Sequence, residues 1–384
     1  MSDHKSTPPA TADSAESFRV LVLWASSRSA NLGVRVLAEA SEVLARRVWG
    51  DRAVIDFQDY GPNDEGVPFA GNVVIKDLGR RHGPLKAKLR QYDVILDTGA
   101  GDSFADIYGL KRLLWMLNIH RLASRLNIPV VLTPQTIGPF RTAVGRVGAR
   151  YALKRAAQVQ VRDRVSYERS LELGRRPSIS ATDMVFLLPQ PISIAPRDVI
   201  LNVSGLLWGT NAHVESGRYR DAVKRFAQSM IDDGRKVTLL AHVIENPSAD
   251  SDPRAVLALR DELGADVEVF IPSTLVEARE VISSGQLLVG SRMHACLNAL
   301  STGVPTIPWA YSRKFKPLFD DIGWSHTVDL RDAADPVRST QDILRSTRPE
   351  TLLAEASDVA AVARARLDEA VLSLSSVRAP VTTW

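Results

Sequence analysis

The sequence contains one cysteine, Cys296. An intrachain disulfide is therefore excluded, and the framework is not that of a disulfide-stapled secreted scaffold. No apolar run approaches the roughly 20 residues that a membrane-spanning helix needs. A large excess of charge of one sign is also missing: 48 Lys and Arg oppose 44 Asp and Glu, a net +4. A dedicated nucleic-acid binder would carry a dominant basic stripe, so no nucleic-acid partner is expected. Residues 1–17 lack the basic and then apolar regions of a signal peptide. They are rich in Ser, Thr, Pro and Ala, have nothing to bury, and read as a disordered tail. From these absences a cytoplasmic protein is expected. Several chemical signatures are missing too. There is no dinucleotide-binding fingerprint, no phosphate-binding P-loop, no GxSxG elbow and no His/Cys/Asp cluster with metal-ligand spacing. No metal and no resident cofactor are expected.

What is present is a soluble, globular balance of 45% hydrophobic and 24% charged residues, in a chain of 384 residues, long enough for two domains. Short apolar runs alternate with amphipathic stretches. The runs at 19–24, 53–57, 73–75, 93–97, 130–133 and 159–161 read as strands, with helices at 110–125 and 144–157. The Pro-rich passage 189–196 resists helix and central strand and marks a linker. A second series follows, with strands at 199–203, 236–241, 267–270, 287–289 and 306–309, and helices at 218–233 and 275–283. Residues 349–375 read as a long helix. The pattern predicts an α/β protein of two Rossmann-like, doubly wound domains with an interdomain cleft. The expected boundaries are 18–190, 191–335, and C-terminal helices over 336–384.

Ligands of such sheets bind beyond the carboxyl ends of the strands, so chemistry is sought there. The segment LLVGSRMH, 287–294, ends a strand at Gly290 and offers Ser291 as an N-cap. Arg292 and His294 then fall in the first helical turn, the positive end of the helix dipole, where cations are unfavourable. Amides, dipole, guanidinium and imidazole together suit an anion. The alternative is that Arg292 pairs with a nearby carboxylate and His294 is a core residue. Arg162 follows another strand and either faces the same cleft or pairs with Asp163. His242 and Lys314 also follow strands. The loop 98–108 carries Gly101 and Asp102, and its glycines allow close backbone approach. Gln135, Asn202, Ser204 and Gly205 occupy further strand-end loops. Cys296 sits one turn inside a helix among apolar neighbours and reads as a buried structural thiol.

One stretch is strongly basic. Residues 141–176 hold ten Lys and Arg against three acids. Arg146, Arg150 and Lys154, four residues apart, align on one helix face. That face is either merely solvated or meets an anionic partner, such as the diphosphate of a lipid-linked saccharide or a membrane surface.

The segments PQTIGPF (134–140), VRDRVSYERSLELG (161–174), D-x-x-F (183–186), NVSGL (202–206), GSRMHACLNALSTGVPTIPW (290–309) and YSRKFKPLFDDIGW (311–324), with the Gly-rich TGAGDSFADIYG (98–109), resemble the polysaccharide pyruvyl transferases. The resemblance covers about residues 19–324, in order. It implies a GT-B-like fold and phosphoenolpyruvate as co-substrate. It also implies transfer of pyruvate to a sugar of a glycan, glycolipid or lipid-linked saccharide as a cyclic ketal. The family's Arg-x-His donor pocket falls on Arg292, Met293 and His294, and its other donor arginine falls on Arg162. His242 matches a family histidine, and Asp252 a following acidic position. Lys314 joins the expected donor site. His294, Arg292, His242 and Asp102 are the catalytic candidates, with His294 either a phosphate ligand or the general acid. Asn31, Gly33, Gly101, Gln135, Asn202, Ser204 and Gly205 are the expected acceptor and cleft residues. Many family members carry an acid after the Asn-x-Gly turn, where this chain has Val34. Two other readings stand beside this one: a GT-B glycosyltransferase with a nucleotide-sugar donor, and a non-catalytic sugar-binding descendant. Weak peripheral contact with the inner face of a membrane is a further expectation.

Overall fold

A computed structural model describes residues 17–60, 67–71, 73–74, 77, 80, 82–192, 194–244, 250–264 and 267–377. The expected tail, apart from Ser17, lies outside them. Two six-stranded sheets form the framework. The first contains β1 (Phe18–Leu23), β2 (Ala53–Gln58), β3 (Val94–Asp97), β4 (Val130–Gln135), β5 (Gln158–Val161) and β6 (Ile179–Ser180). Its order is β2-β1-β3-β4-β5-β6. The second contains β7 (Arg197–Asn202), β8 (Val237–Leu240), β9 (Glu268–Phe270), β10 (Gly285–Gly290), β11 (Thr306–Ala310) and β12 (Val328–Asp329). Its order is β12-β11-β10-β7-β8-β9. Every strand pairing is parallel.

Parallel strands covered by helices on both faces are apolar along their length. In β1, Val20, Leu21, Val22 and Leu23 are fully buried, and β3 is buried at all four positions. Each such side chain contributes roughly 1.5–3 kcal/mol through removal from water. The chain switches sheets between Ser180 and Arg197, where prolines interrupt regular structure. The final helix, Pro349–Leu374, returns to the first sheet. Gln158 and Gln160 of β5 donate to the carbonyls of Ser373 and Ala370, at 2.6 and 3.1 Å.

Two sequence expectations change. Residues 73–75 were expected as a strand, but Val73 and Val74 are helical. β3 pairs directly with β1, so no strand is needed between β2 and β3. Three apolar residues also carry no periodicity that separates strand from helix. β6 and β12 were not anticipated, because two residues of sequence give no pattern.

Candidate active site between the two sheets

The carboxyl ends of the two sheets face each other, and the loops beyond them touch. Leu32 N–H donates to the carbonyl of His242, and Ile244 N–H to that of Ala30. Asn31 forms an isolated bridge with Val243. Asn31 also caps the helix Leu32–Trp49, accepting from Gly33 N–H at 2.9 Å. Gly33 is then pressed against His294 of the opposite sheet. A Cβ on it would stand 2.5 Å from the imidazole Nδ1.

The centre of the contact is Asp183. Its Oδ2 accepts from a terminal nitrogen of Arg162 at 2.9 Å and lies 3.6 Å from His294 Nε2. Its Oδ1 accepts from Val185 N–H and caps the short helix Met184–Leu187. Burial would raise the Asp183 carboxyl, but His294 and Arg162 outweigh it and hold the group well below the usual carboxylate range. Arg162 also donates Nε to Thr136 Oγ1 at 2.9 Å. The expected alternative pairing of Arg162 with Asp163 does not form. Asp163 instead caps the helix Arg164–Glu172, accepting from Ser166 N–H at 2.7 Å. A buried guanidinium is tolerated only with such a partner.

The Gly-rich loop after β3 comes from the same side. Gly99, Ala100 and Gly101 have φ of 55°, 47° and 81°. The glycines adopt this left-handed region freely, whereas Ala100 does so at a cost of about 1–2 kcal/mol. The turn brings Gly101 against Arg162 and presents Asp102 to the cleft. Asp102 Oδ2 accepts from Tyr108 Oη at 2.5 Å and lies 3.5 Å from Lys314 Nζ of the opposite sheet. Burial raises its carboxyl, but Lys314, Arg162 and Tyr108 together lower it below the ordinary value. Asp102, Thr136, Asp163, Arg169, Arg313 and Lys314 line a cavity of about 70 Å³ between the sheets.

Several expected roles change. The helix after β10 runs Met293–Ser301 and its N-cap is Arg292, not Ser291. Asn202 Oδ1 takes the Arg292 N–H at 2.9 Å and so stops the helix there. The Ser291 hydroxyl meets Tyr219 instead. Arg292 does not point an open fork at the cleft. Its Nε and a terminal nitrogen hold Asp252 Oδ1 at 3.1 and 2.6 Å, and Asp250 lies 2.7 Å away. This is the expected alternative of a nearby carboxylate, and it explains how a cation is tolerated beside a helix N-terminus. Met293 is buried. His294 is 17% exposed, and its buried Nε2 has no hydrogen-bond partner.

His242 is held inside the protein. Its ring is buried and meets Asn298 Nδ2 at 3.3 Å. Burial, with His294 and Arg292, pushes its pKa down to about 3, so it is neutral near pH 7. Asn202, Ser204 and Gly205 are likewise buried and bonded within the chain. Gly205 N–H donates to Asp252 Oδ1, Ser204 N–H donates to Tyr219, and Asn202 donates to the Leu240 carbonyl. They hold the Asp252–Arg292 pair in place. Gln135 lies beneath the Gly-rich loop and donates to the Asp97 carbonyl at 2.7 Å. The buried strand-end side chains therefore brace the loops rather than face the cleft. Asn31, Gly33, Gly101, Asp102, Arg162, His294 and Lys314 do meet at the contact between the sheets. Sequence reasoning gave no role to Asp183, Thr136, Arg169 or Arg313. All four lie inside the segments that carry the resemblance, Asp183 as the first residue of D-x-x-F.

Cys296 is fully buried, its Sγ faces the Gly290 carbonyl at 3.4 Å, and burial raises its thiol pKa to about 12. It is a packing residue. Among the described residues no group of three or more His, Cys, Asp or Glu could hold a metal ion.

A family profile described as polysaccharide pyruvyl transferase matches residues 31–313. The amylovoran biosynthesis protein AmsJ of Erwinia amylovora is 22% identical, in an alignment covering 66% of this chain, which spans 64% of that curated relative's length. Solved structures share the fold at low identity. A putative UDP-N-acetylglucosamine 2-epimerase from Listeria monocytogenes aligns with a TM-score of 0.58 at 10% identity, covering 93% of this chain and 96% of that one. The UDP-GlcNAc 2-epimerase of Neisseria meningitidis, bound to UDP-GlcNAc, aligns with a TM-score of 0.55 at 10% identity, covering 93% and 99%. Anabaena HepE, in complex with UDP and glucose, aligns with a TM-score of 0.53 at 12% identity, covering 94% and 100%. The architecture is the GT-B arrangement of two Rossmann-like domains. With a profile match over most of its length, the chain belongs to the polysaccharide pyruvyl transferase family.

Proposed function

We propose that this protein transfers the pyruvyl group of phosphoenolpyruvate to a sugar of a glycan or glycolipid, forming a cyclic ketal and releasing phosphate. The observation that carries the reading is the convergence of Arg162 and His294, from opposite sheets, on Asp183. Phosphoenolpyruvate bears a phosphate and a carboxylate, so its site needs cations and donors without a pair for each. The Met293 and His294 amides open a helix and have no intrahelical acceptor. With the dipole and the His294 ring they suit one anionic group. Lys314, Arg313 and Arg169 around the cavity suit the other. Arg292 acts in this scheme as the anchor of the loop rather than as a ligand.

The chemistry needs one proton delivered and two removed. Protonation of the methylene carbon by His294 makes a methyl group and an oxocarbenium-like centre at the adjacent carbon. One sugar hydroxyl adds there and gives up its proton. A second hydroxyl of the same sugar then displaces phosphate, and its proton leaves with the phosphate. Asp102, held ionised beside Lys314, is the base for an attacking hydroxyl. Arg162 and Lys314 counter the charge gathering on the leaving phosphate.

The test is incubation with phosphoenolpyruvate and a panel of glycosides. Phosphate release is followed together with the mass of the product. Pyruvate-ketal addition that disappears in His294→Ala is the expected result. No phosphate release with any acceptor, together with tight competition between UDP and a sugar-nucleotide donor, overturns the reading in favour of glycosyl transfer.

A further inference from the structure

Away from the cleft, the helices Leu110–Arg125 and Ala143–Arg155 pack side by side and leave a groove of about 790 Å³ between them. Gly148 lets Leu117 approach the second helix closely. Apolar side chains nevertheless remain in water: Leu114 is 44% exposed, Val144 54% and Val147 70%. Such a cluster on a monomer surface marks a contact. The two helices contain no Asp or Glu. They carry eight cations: Lys111, Arg112, Arg121 and Arg125 on the first, and Arg146, Arg150, Lys154 and Arg155 on the second. Three of these lie over aromatic rings, Lys111 over Trp115, Arg112 over Tyr60 and Arg155 over Tyr151, at 5.3, 4.3 and 5.7 Å.

We infer that this groove docks the protein onto an anionic lipid surface. The apolar ridge enters the headgroup boundary and the cations meet lipid phosphates. Charge selects this occupant over a second copy of the chain, because self-docking would set Arg121 and Arg125 of the groove against the same two cations, with no carboxylate in either helix pair. Of the three cations in line on the second helix, Arg146 donates to the carbonyls of Phe140 and Arg141, and Arg150 to that of Leu173. The docking face is therefore the Val144–Val147–Tyr151 side of that helix together with Leu114, Arg121 and Arg125. This face is tied to the cleft. Asp106, in the loop that carries Asp102, accepts from Arg141 N–H, Thr142 N–H and the Thr142 hydroxyl at 2.8, 2.7 and 2.7 Å. A docked protein thus holds the Asp102 loop close to saccharides carried on lipid. That last consequence rests on the proposed function, whereas the docking does not.

The test is co-sedimentation of the full chain with vesicles of phosphatidylcholine, alone or mixed with phosphatidylglycerol, at low and high salt. The variants are Val144→Asp/Val147→Asp and Arg121→Glu/Arg125→Glu. The control, Arg338→Glu/Arg345→Glu, lies on the helix Pro336–Ser346 behind the second sheet. Wild type and control should pellet with anionic vesicles at low salt and much less at high salt, and each groove variant should bind about tenfold more weakly. Circular dichroism melts confirm folding. If the valine pair unfolds, the exposed arginine pair decides. Equal pelleting with neutral and anionic vesicles, groove variants that bind like wild type, or a dimer in solution that the groove variants dissociate would each overturn the inference. Sedimentation requires no turnover, so its failure is distinct from failure of the pyruvyl-transfer reading.

Discussion

Gly33 and His294 come from opposite sheets, and no side chain larger than hydrogen fits between them: a Cβ at 33 would stand 2.5 Å from Nδ1. The Asn-x-Gly turn thus shapes the space in which the imidazole sits. Gly33 lies at an ordinary helical position, so alanine there meets no backbone strain. Gly33→Ala should therefore leave the melting temperature within a few degrees of wild type while displacing His294. Misplacement of a reacting group by about 1 Å can cost on the order of 100-fold. Steady-state phosphate release beside a thermal melt checks this. An active, equally stable Gly33→Ala protein would show that His294 is not held by this contact.

Arg292→Ala should act on stability first. It strands the buried Asp252 carboxylate, and breaking a buried pair from one side costs about 3–5 kcal/mol. The urea midpoint should fall accordingly, with restoration in Arg292→Ala/Asp252→Ala by part of that amount. A folded Arg292→Ala protein of wild-type stability that has lost only donor binding would return the residue to the donor site.

Asp183 makes the Arg162 contact acid-sensitive. Its folded carboxyl titrates below the unfolded value of about 3.9, so the contribution is complete above that pH and fades as pH falls below it. Asp183→Asn should remove this part of the acid transition and lower stability near pH 7, because Arg162 loses its counter-charge. Denaturant titrations at pH 3 to 7 read both effects, and an unchanged acid limb would assign it to other carboxylates.

His242 acts over a different window. Its folded pKa of about 3 lies below the unfolded value of about 6.5. The unfolded chain therefore takes up a proton first, and stability declines as pH drops from about 6.5 toward about 3. His242→Gln should flatten that slope and leave the pH profile of turnover in place. A shifted turnover profile would restore His242 as a proton carrier.

Cys296→Ser buries a hydroxyl where a thiol packed, at a cost of about 1–3 kcal/mol. Turnover in the folded variant should persist. Total loss of reaction with an unchanged melt would identify the thiol as a reacting group.

Alternation of apolar runs and amphipathic stretches located ten of the twelve strands in order, missing β6 and β12 and misreading the run at 73–75. The helices Leu110–Arg125 and Leu275–Ser283 fall where periodicity placed them. The strand-end rule likewise points to Arg162, His294 and Asp102 from the sequence. These features are legible because burial along one element is local, a continuous apolar run in a strand covered on both faces or every third and fourth residue in a helix. Partnership does not repeat. Arg162 chooses Asp183 rather than its neighbour Asp163, and Arg292 turns back to Asp252. His242, Asn202 and Gln135 end strands as expected, yet sink beneath the loops they were thought to crown. Each outcome depends on which distant chain excludes water from a side chain and which charge stands opposite once it has. The sequence by itself determined two Rossmann-like sheets with candidate site residues at their ends. Only the tertiary structure decided which of those residues are braces and which face the cleft, because desolvation and pairing are set between elements and not along them.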